Sequence, residues 1–301
     1  MKQSNIFSRG LTLGLMMLTI ATAINAQEAV DSVRIVPHFN VGDSRAYHVT
    51  TVNRLEGAYT ETVSANHRFT VVSADENHYG ILFITDSVQR EIPDGIPDSE
   101  AYRLMDFFTN VGYRFFINRH TLAVDSVSGD ELKEPLRNYL TKVYTMFNDG
   151  EMSPDQLQQY LDEQMTDDFL SEQARRLMEI MVSTFTDQYG RTLPLGEARW
   201  TEVEGELEEE LPEPNDADNA VDEELSDLEL KYIHQATTSR GEDGSIQYDE
   251  TITMDVPAEL GDPVWSERMQ ASFDPQGWPV EIVYSSKLAE MVQEIHWQVL
   301  P

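Results

Sequence analysis

The chain has 301 residues, 21 Lys and Arg against 54 Asp and Glu, a formal net charge of −33 and no cysteine. That balance repels nucleic acid and anionic lipid surfaces at long range, and the missing thiols exclude disulfides, thiolate nucleophiles, thiolate metal sites and lipidation of a leader. A hydrophobic share of 40% supports a sizeable core and sets the chain apart from disordered sequences.

Residues 1–26 read as a secretory signal peptide. Lys2 and Arg9 make a positive start, and Leu11 to Ala23 is an apolar run too short to span a bilayer. Ala21-Thr22-Ala23 and Ile24-Asn25-Ala26 offer small-residue cleavage sites. The mature protein is expected in the periplasm or outside the cell, as a single β-rich domain over 27–301 that is not integral to a membrane. From Gln27 to about Ser128 the signal is mostly strands. Arg45 to Val52 follows a Gly42-Asp43 turn, Thr60 to Ser73 alternates, and Tyr79 to Thr85 is apolar on both faces. Ala101, Leu104, Met105 and Phe108 recur at helical spacing within 98–110. Tyr113 to Ile117 and Leu122 to Val127 form a predicted hairpin around Asn118-Arg119-His120.

The period changes at Asp130. Leu132, Leu136, Leu140, Val143 and Phe147 share one helical face. Ser153-Pro154-Asp155-Gln156 is a capping box with proline at the first helical position. Thr166 opens a longer helix striped by Leu170, Ala174, Leu177, Met178, Met181 and Phe185, with Gly190 as its expected C-cap. Residues 130–190 thus form a three-helix insertion between two strand-rich blocks. Residues 202–229 hold 14 Asp and Glu and no base, which predicts a solvated, self-repelling loop. Strands resume at Leu228. Asp243-Gly244 and Asp274-Pro275-Gln276-Gly277 are hairpin turns, and His296 to Leu300 is a last strand. Gly42-Asp43 before Tyr47 is echoed by Gly196-Glu197 before Trp200, either a duplication or a coincidence of turn chemistry.

Chemistry-bearing motifs are sparse. Gly42-Asp43-Ser44 lacks the apolar strand before it, the helix after it and the distant Asp-x-x-His that a lipase nucleophile block requires, so it reads as a strand-entry turn. The seven histidines are scattered without ligand spacing. Asp216, Asp218, Asp222 and Glu224 are spaced like an EF-hand loop, but Ala220 stands at a ligand position, Val221 replaces the turn glycine and no glutamate closes the loop. A loose calcium affinity or a plain charged linker remain the two readings, and no other cofactor is expected. Asp94, Asp98 and Glu100 are the least poor candidates for paired-carboxylate catalysis.

The signal peptide, Val41-Gly42-Asp43 leading to Tyr47, and the late hairpin motif of Phe273, Asp274, Gly277, Pro279 and Val280 resemble a group of uncharacterised secreted proteins of the Bacteroidota. The resemblance implies a β-rich envelope protein and carries over no catalytic residues. By analogy, a curved antiparallel sheet with helices on its concave side is similar to periplasmic lipoprotein carriers. The expected fold is therefore α+β: a curved antiparallel sheet or half-barrel, with the helices of 130–190 over one face. The expected function is non-enzymatic binding of an apolar or amphipathic small molecule between sheet and helices. Phe83, Phe108, Phe115, Met178, Met181 and Phe185 are its candidate lining, and all of them fit ordinary core as well. A structural or partner-docking envelope protein and a carboxylate-dependent hydrolase are the alternatives.

Overall fold

The computed structural model describes residues 31–55, 59–91, 109–147, 153–203, 231–254 and 265–301. Thirteen strands, three α-helices and a short 3-10 helix at Asp130–Leu132 lie among them. The strands are β1 (Ser32–Arg34), β2 (Ser44–Leu55), β3 (Tyr59–Ala74), β4 (His78–Glu91), β5 (Gly112–Asn118), β6 (Val124–Ser128), β7 (Thr192–Pro194), β8 (Gly196–Val203), β9 (Lys231–Arg240), β10 (Ile246–Met254), β11 (Trp265–Phe273), β12 (Pro279–Leu288) and β13 (Met291–Val299). The helices are α1 (Lys133–Phe147), α2 (Pro154–Gln164) and α3 (Asp167–Thr186), all between β6 and β7. The class is α+β, as expected.

Eleven strands form one antiparallel sheet in the order β6-β5-β4-β3-β2-β13-β12-β11-β10-β9-β8, open rather than closed into a barrel. It is two meanders joined at the centre, where β13 pairs with β2 from Met291↔Leu55 to Val299↔Tyr47. The first and last strands of this sheet in sequence therefore meet at its middle. Side-chain alternation explains the strands: β9 buries Tyr232, His234, Ala236 and Thr238 and turns the intervening residues outward. A small second sheet pairs β1 with β7.

Helix α3 lies on the sheet face that holds the core. It buries Leu170, Ala174, Met178, Val182 and Phe185 at helical spacing. The Phe185 ring stacks on Phe69 at 4.6 Å between centroids and meets Tyr47 edge-on at 5.9 Å. The segment after β1 closes one end of this core: Phe39 packs on Trp278 at 4.2 Å and on Tyr79 at 5.3 Å. A separate cluster of Leu136, Leu157, Leu161, Met165 and Leu170 joins α1 and α2 to the first turn of α3. The capping box forms in both directions, Ser153 N–H to Gln156 Oε1 at 2.9 Å and Gln156 N–H to Ser153 Oγ at 3.3 Å.

Several expectations need correction. Tyr79, Ile81 and Phe83 are buried, but Leu82 and Ile84 on the other face are only half-buried, so β4 is not buried equally on both sides. Leu122 belongs to the turn rather than to β6: it takes φ 65° with its side chain buried, and its N–H donates to the Asn118 carbonyl. Gly190 has φ 83° but stands four residues beyond the end of α3, where its N–H donates to the Ile35 carbonyl. β13 begins at Met291, five residues before the expected last strand, because pairing with β2 and β12 organises residues that carry little alternation of their own. The helix expected over 98–110 lies outside the described residues except for a turn at Thr109 and Asn110.

Candidate functional site

Registers place inward-facing residues in rows across the sheet, since directly paired residues share a face. The row through Tyr248, Ala271, Ile282, Trp297 and Val49 is buried. The next row toward the far end runs Ala236, Glu250, Met269, Tyr284, Ile295, Thr51 and Val63. Beyond it lies a polar belt of His234, Ile252, Glu267, Ser286, Gln293, Asn53 and Glu61. A rim of Tyr232, Trp265, Leu288, Met291 and Leu55 follows. From Met269 to Val63, and along the belt from Ile252 to Glu61, the side chains are half-exposed, and Leu288 and Met291 are exposed. One end of the inner face is thus dry core and the other is an accessible surface, apolar with a polar stripe.

A charged network sits where the two regimes meet on β8–β12. Arg191, just after α3, is ion-paired with Glu250 and donates to the Tyr248 hydroxyl at 3.3 Å and to Gln188 Oε1 at 3.2 Å. His234 faces Glu250 through Nδ1 at 3.1 Å and Glu202 through Nε2 at 3.2 Å, and its ring stacks on Trp200 at 4.8 Å. Glu250 is 1% exposed. Burial pushes its carboxyl up, but the His234 hydrogen bond and the Arg191 charge outweigh that and hold it below the usual carboxylate range. Glu267, diagonal to it on β11, accepts from the Tyr284 hydroxyl at 2.8 Å. Burial raises the Glu267 carboxyl, the Tyr284 hydrogen bond opposes the rise, and the Glu250 charge adds to it. In the other half, His67 donates to or accepts from Thr85 Oγ1 at 3.1 Å, and burial lowers its pKa to about 4, so it is neutral at physiological pH.

The structure brings Phe83, Phe115, Met178 and Phe185 together, in the packed core with Phe69 and Tyr47. Met181 lies in α3, but its side chain is not among those described, and Phe108 is outside the described residues. So are Asp216, Asp218, Asp222 and Glu224, and Asp94, Asp98 and Glu100. Gly42-Asp43-Ser44 is a strand-entry turn: Gly42 has φ 92° and Ser44 Oγ donates to the Phe69 carbonyl at 3.0 Å. Sequence reasoning missed Glu250, Glu267, Arg191 and His234. The signal was there in Ile246-x-Tyr248-x-Glu250-x-Ile252-x-Met254 and Trp265-x-Glu267-x-Met269-x-Ala271-x-Phe273, where an acid takes an inward place in an apolar alternation. It was hidden among 54 acids.

Among the described residues no set of three or more His, Asp or Glu side chains is placed to hold a metal ion, and no helix is long and apolar enough to cross a membrane. An open groove of about 420 Å³ lies on the outer face over Thr50, Val52, Val283 and Ser285. Its charged rim is already paired, Arg268 with Asp249, Glu294 with Arg54 and His296 with Glu281.

No family model and no curated protein matches the chain. Solved structures similar to it at low level include the following two. One is a structure of lipid–protein interactions in lipovitellin, 8% identical, with a TM-score of 0.31 over 87% of this chain; the chain spans 25% of that protein's length. The other is a beta-barrel-like protein of a domain of unknown function from Brucella abortus, 9% identical, with a TM-score of 0.21 over 89% of this chain and 97% of that one.

Proposed function

We propose that the protein is a non-enzymatic binder of an apolar or amphipathic molecule, exported to the periplasm or beyond the cell after loss of residues 1–26. The sheet would curve as a half-barrel, with the ligand on its inner face. One observation carries this reading: the inner face passes from dry core to half-exposed Met269, Tyr284, Ile295 and Val63, edged by Trp265 and Leu288. Half-exposed apolar side chains in a contiguous tract mark a surface that gains by being covered. The ligand lies beyond Phe83, Phe115 and Phe185 rather than among them, because those rings are 0% exposed and already in contact with one another or with Phe69.

The hydrolase alternative draws on Glu250 and Glu267, adjacent carboxyls displaced in opposite directions. Against it, Glu250 is 1% exposed and its oxygens already face Arg191 and His234, so it is turned into the structure rather than toward a substrate. A docking or structural role would leave the inner face without a small-molecule guest. A loose calcium affinity of the segment Asp216 to Asp227 belongs to the same proposal and would appear as weak heat on calcium titration.

Native mass spectrometry of the purified mature protein, followed by organic extraction, tests the main reading. A stoichiometric apolar or amphipathic guest, or saturable uptake of an added one, is expected. A protein that carries none and takes up none would sink it.

A further inference from the structure

The accessible rows of the inner face are unequal in charge. Glu267 and Glu61 stand in the polar belt and Glu202 on the rim, and Glu250 lies just behind. On the same rows the described cation is Arg90, which has its own partner, and Arg191 reaches the face from outside it and is bound by Glu250. Glu267 is the acid best placed for a guest. One of its oxygens takes the Tyr284 hydroxyl at 2.8 Å, and the other carries no hydrogen bond from a described residue. Around it are Ile252 across the strand pair and Met269 and Trp265 two residues away on the same face. Trp265 and Tyr232 meet edge-to-face at 5.3 Å on the adjoining rim, and Tyr284 holds the carboxyl from the neighbouring strand.

A carboxylate set in an aromatic and apolar shelf matches one ligand chemistry. Its charge and the ring quadrupoles both attract a cation, and the surrounding shelf suits a hydrocarbon chain. An anionic head would meet repulsion from Glu267, Glu61 and a chain of net charge −33. We propose that the inner-face ligand is a cationic amphiphile, with an amine or quaternary ammonium head at Glu267 and its chain along Ile252, Trp265 and Leu288. This rests on the inner-face binding reading above and adds the head group. A bound cation also relieves the penalty on an ionised Glu267 and so pulls its raised carboxyl back down.

The test is a fluorescence titration of the full mature protein with three single-chain amphiphiles of equal length below their micelle concentrations: dodecyltrimethylammonium, dodecyl maltoside and dodecyl sulfate. The ammonium compound should bind about tenfold tighter than the neutral one, and the sulfate weakest. In Glu267→Gln the ammonium affinity should fall to within about threefold of the neutral one, whose own affinity holds. Glu267→Lys should reverse the order in favour of sulfate. Equal binding of all three, unmoved by either substitution, would overturn the head-group assignment and leave apolar binding standing. Binding of none would overturn the binding reading itself.

Discussion

Glu250 and Glu267 are neighbours with opposite consequences for folding. The Glu250 carboxyl is held low in the fold, so its contribution is fully present above the unfolded carboxylate value and is lost as pH falls through the lower folded one. The Glu267 carboxyl is held high, so its ionisation opposes folding above the raised value, and that cost vanishes below the unfolded value. Glu267→Gln should therefore stabilise the protein by about 1 kcal/mol near neutrality and change little in acid, as denaturant melts at the two pH values would show. Arg191→Met acts in the opposite sense. It strands a carboxylate that is 1% exposed, and removal of one partner from a buried pair costs about 3–5 kcal/mol. The double variant Arg191→Met with Glu250→Gln should recover much of that loss, and strict additivity in the cycle would refute the coupling.

The turns and helices show how local chemistry is tied to its surroundings. Gly277 and Gly42 both need positive φ, at 84° and 92°. A Cβ on Gly277 would lie 2.6 Å from the Val36 carbonyl oxygen, whereas one on Gly42 meets nothing within 4 Å. Gly42→Ala should cost only the conformational term, about 1 kcal/mol. Gly277→Ala adds a backbone clash and should cost about 2–4 kcal/mol; equal melting shifts for the two would contradict this. Helices α1 and α2 pack in a cluster of their own. Ser153→Ala removes one half of the capping box and should weaken α2 by about 1 kcal/mol. Hydrogen exchange should accelerate in α1 and α2 and stay unchanged in β2, β3 and β13, because the two cores share little beyond α3.

At the scale of the whole molecule, β13 is the joint. It pairs with β12 and β2, and without it two five-stranded meanders have no common edge. Trp297 from β13 also fills the core beside Tyr47 and Phe69. A chain ending at Leu288 should lose cooperative thermal unfolding and near-ultraviolet ellipticity, since each half keeps its hairpins but loses the shared aromatic core. Retention of a sharp transition would show that one meander folds alone. The joint should also close late, because ladder partners such as Asn53 and Gln293 are 240 residues apart, and such pairings pay loop-closure entropy before any contact rewards it.

Much of this protein was legible in its residues alone. Strand alternation, the Asp243-Gly244 and Asp274–Gly277 turns, the capping box at Ser153 and the helical stripe to Phe185 are local signals, set by backbone sterics and by periods of 2 and 3.6. They determined the α+β class, the three-helix block and the antiparallel hairpins. Tertiary structure decided the rest. That β13 pairs with β2, that Gly190 serves Ile35 rather than α3, and that Leu122 bends into a turn all depend on partners far away in sequence. The candidate site was hidden for the same reason. One acid among 54 carries no mark of its own; Glu250 and Glu267 acquire theirs only when β10 and β11 set them side by side on a face that excludes water from one and half-admits it to the other.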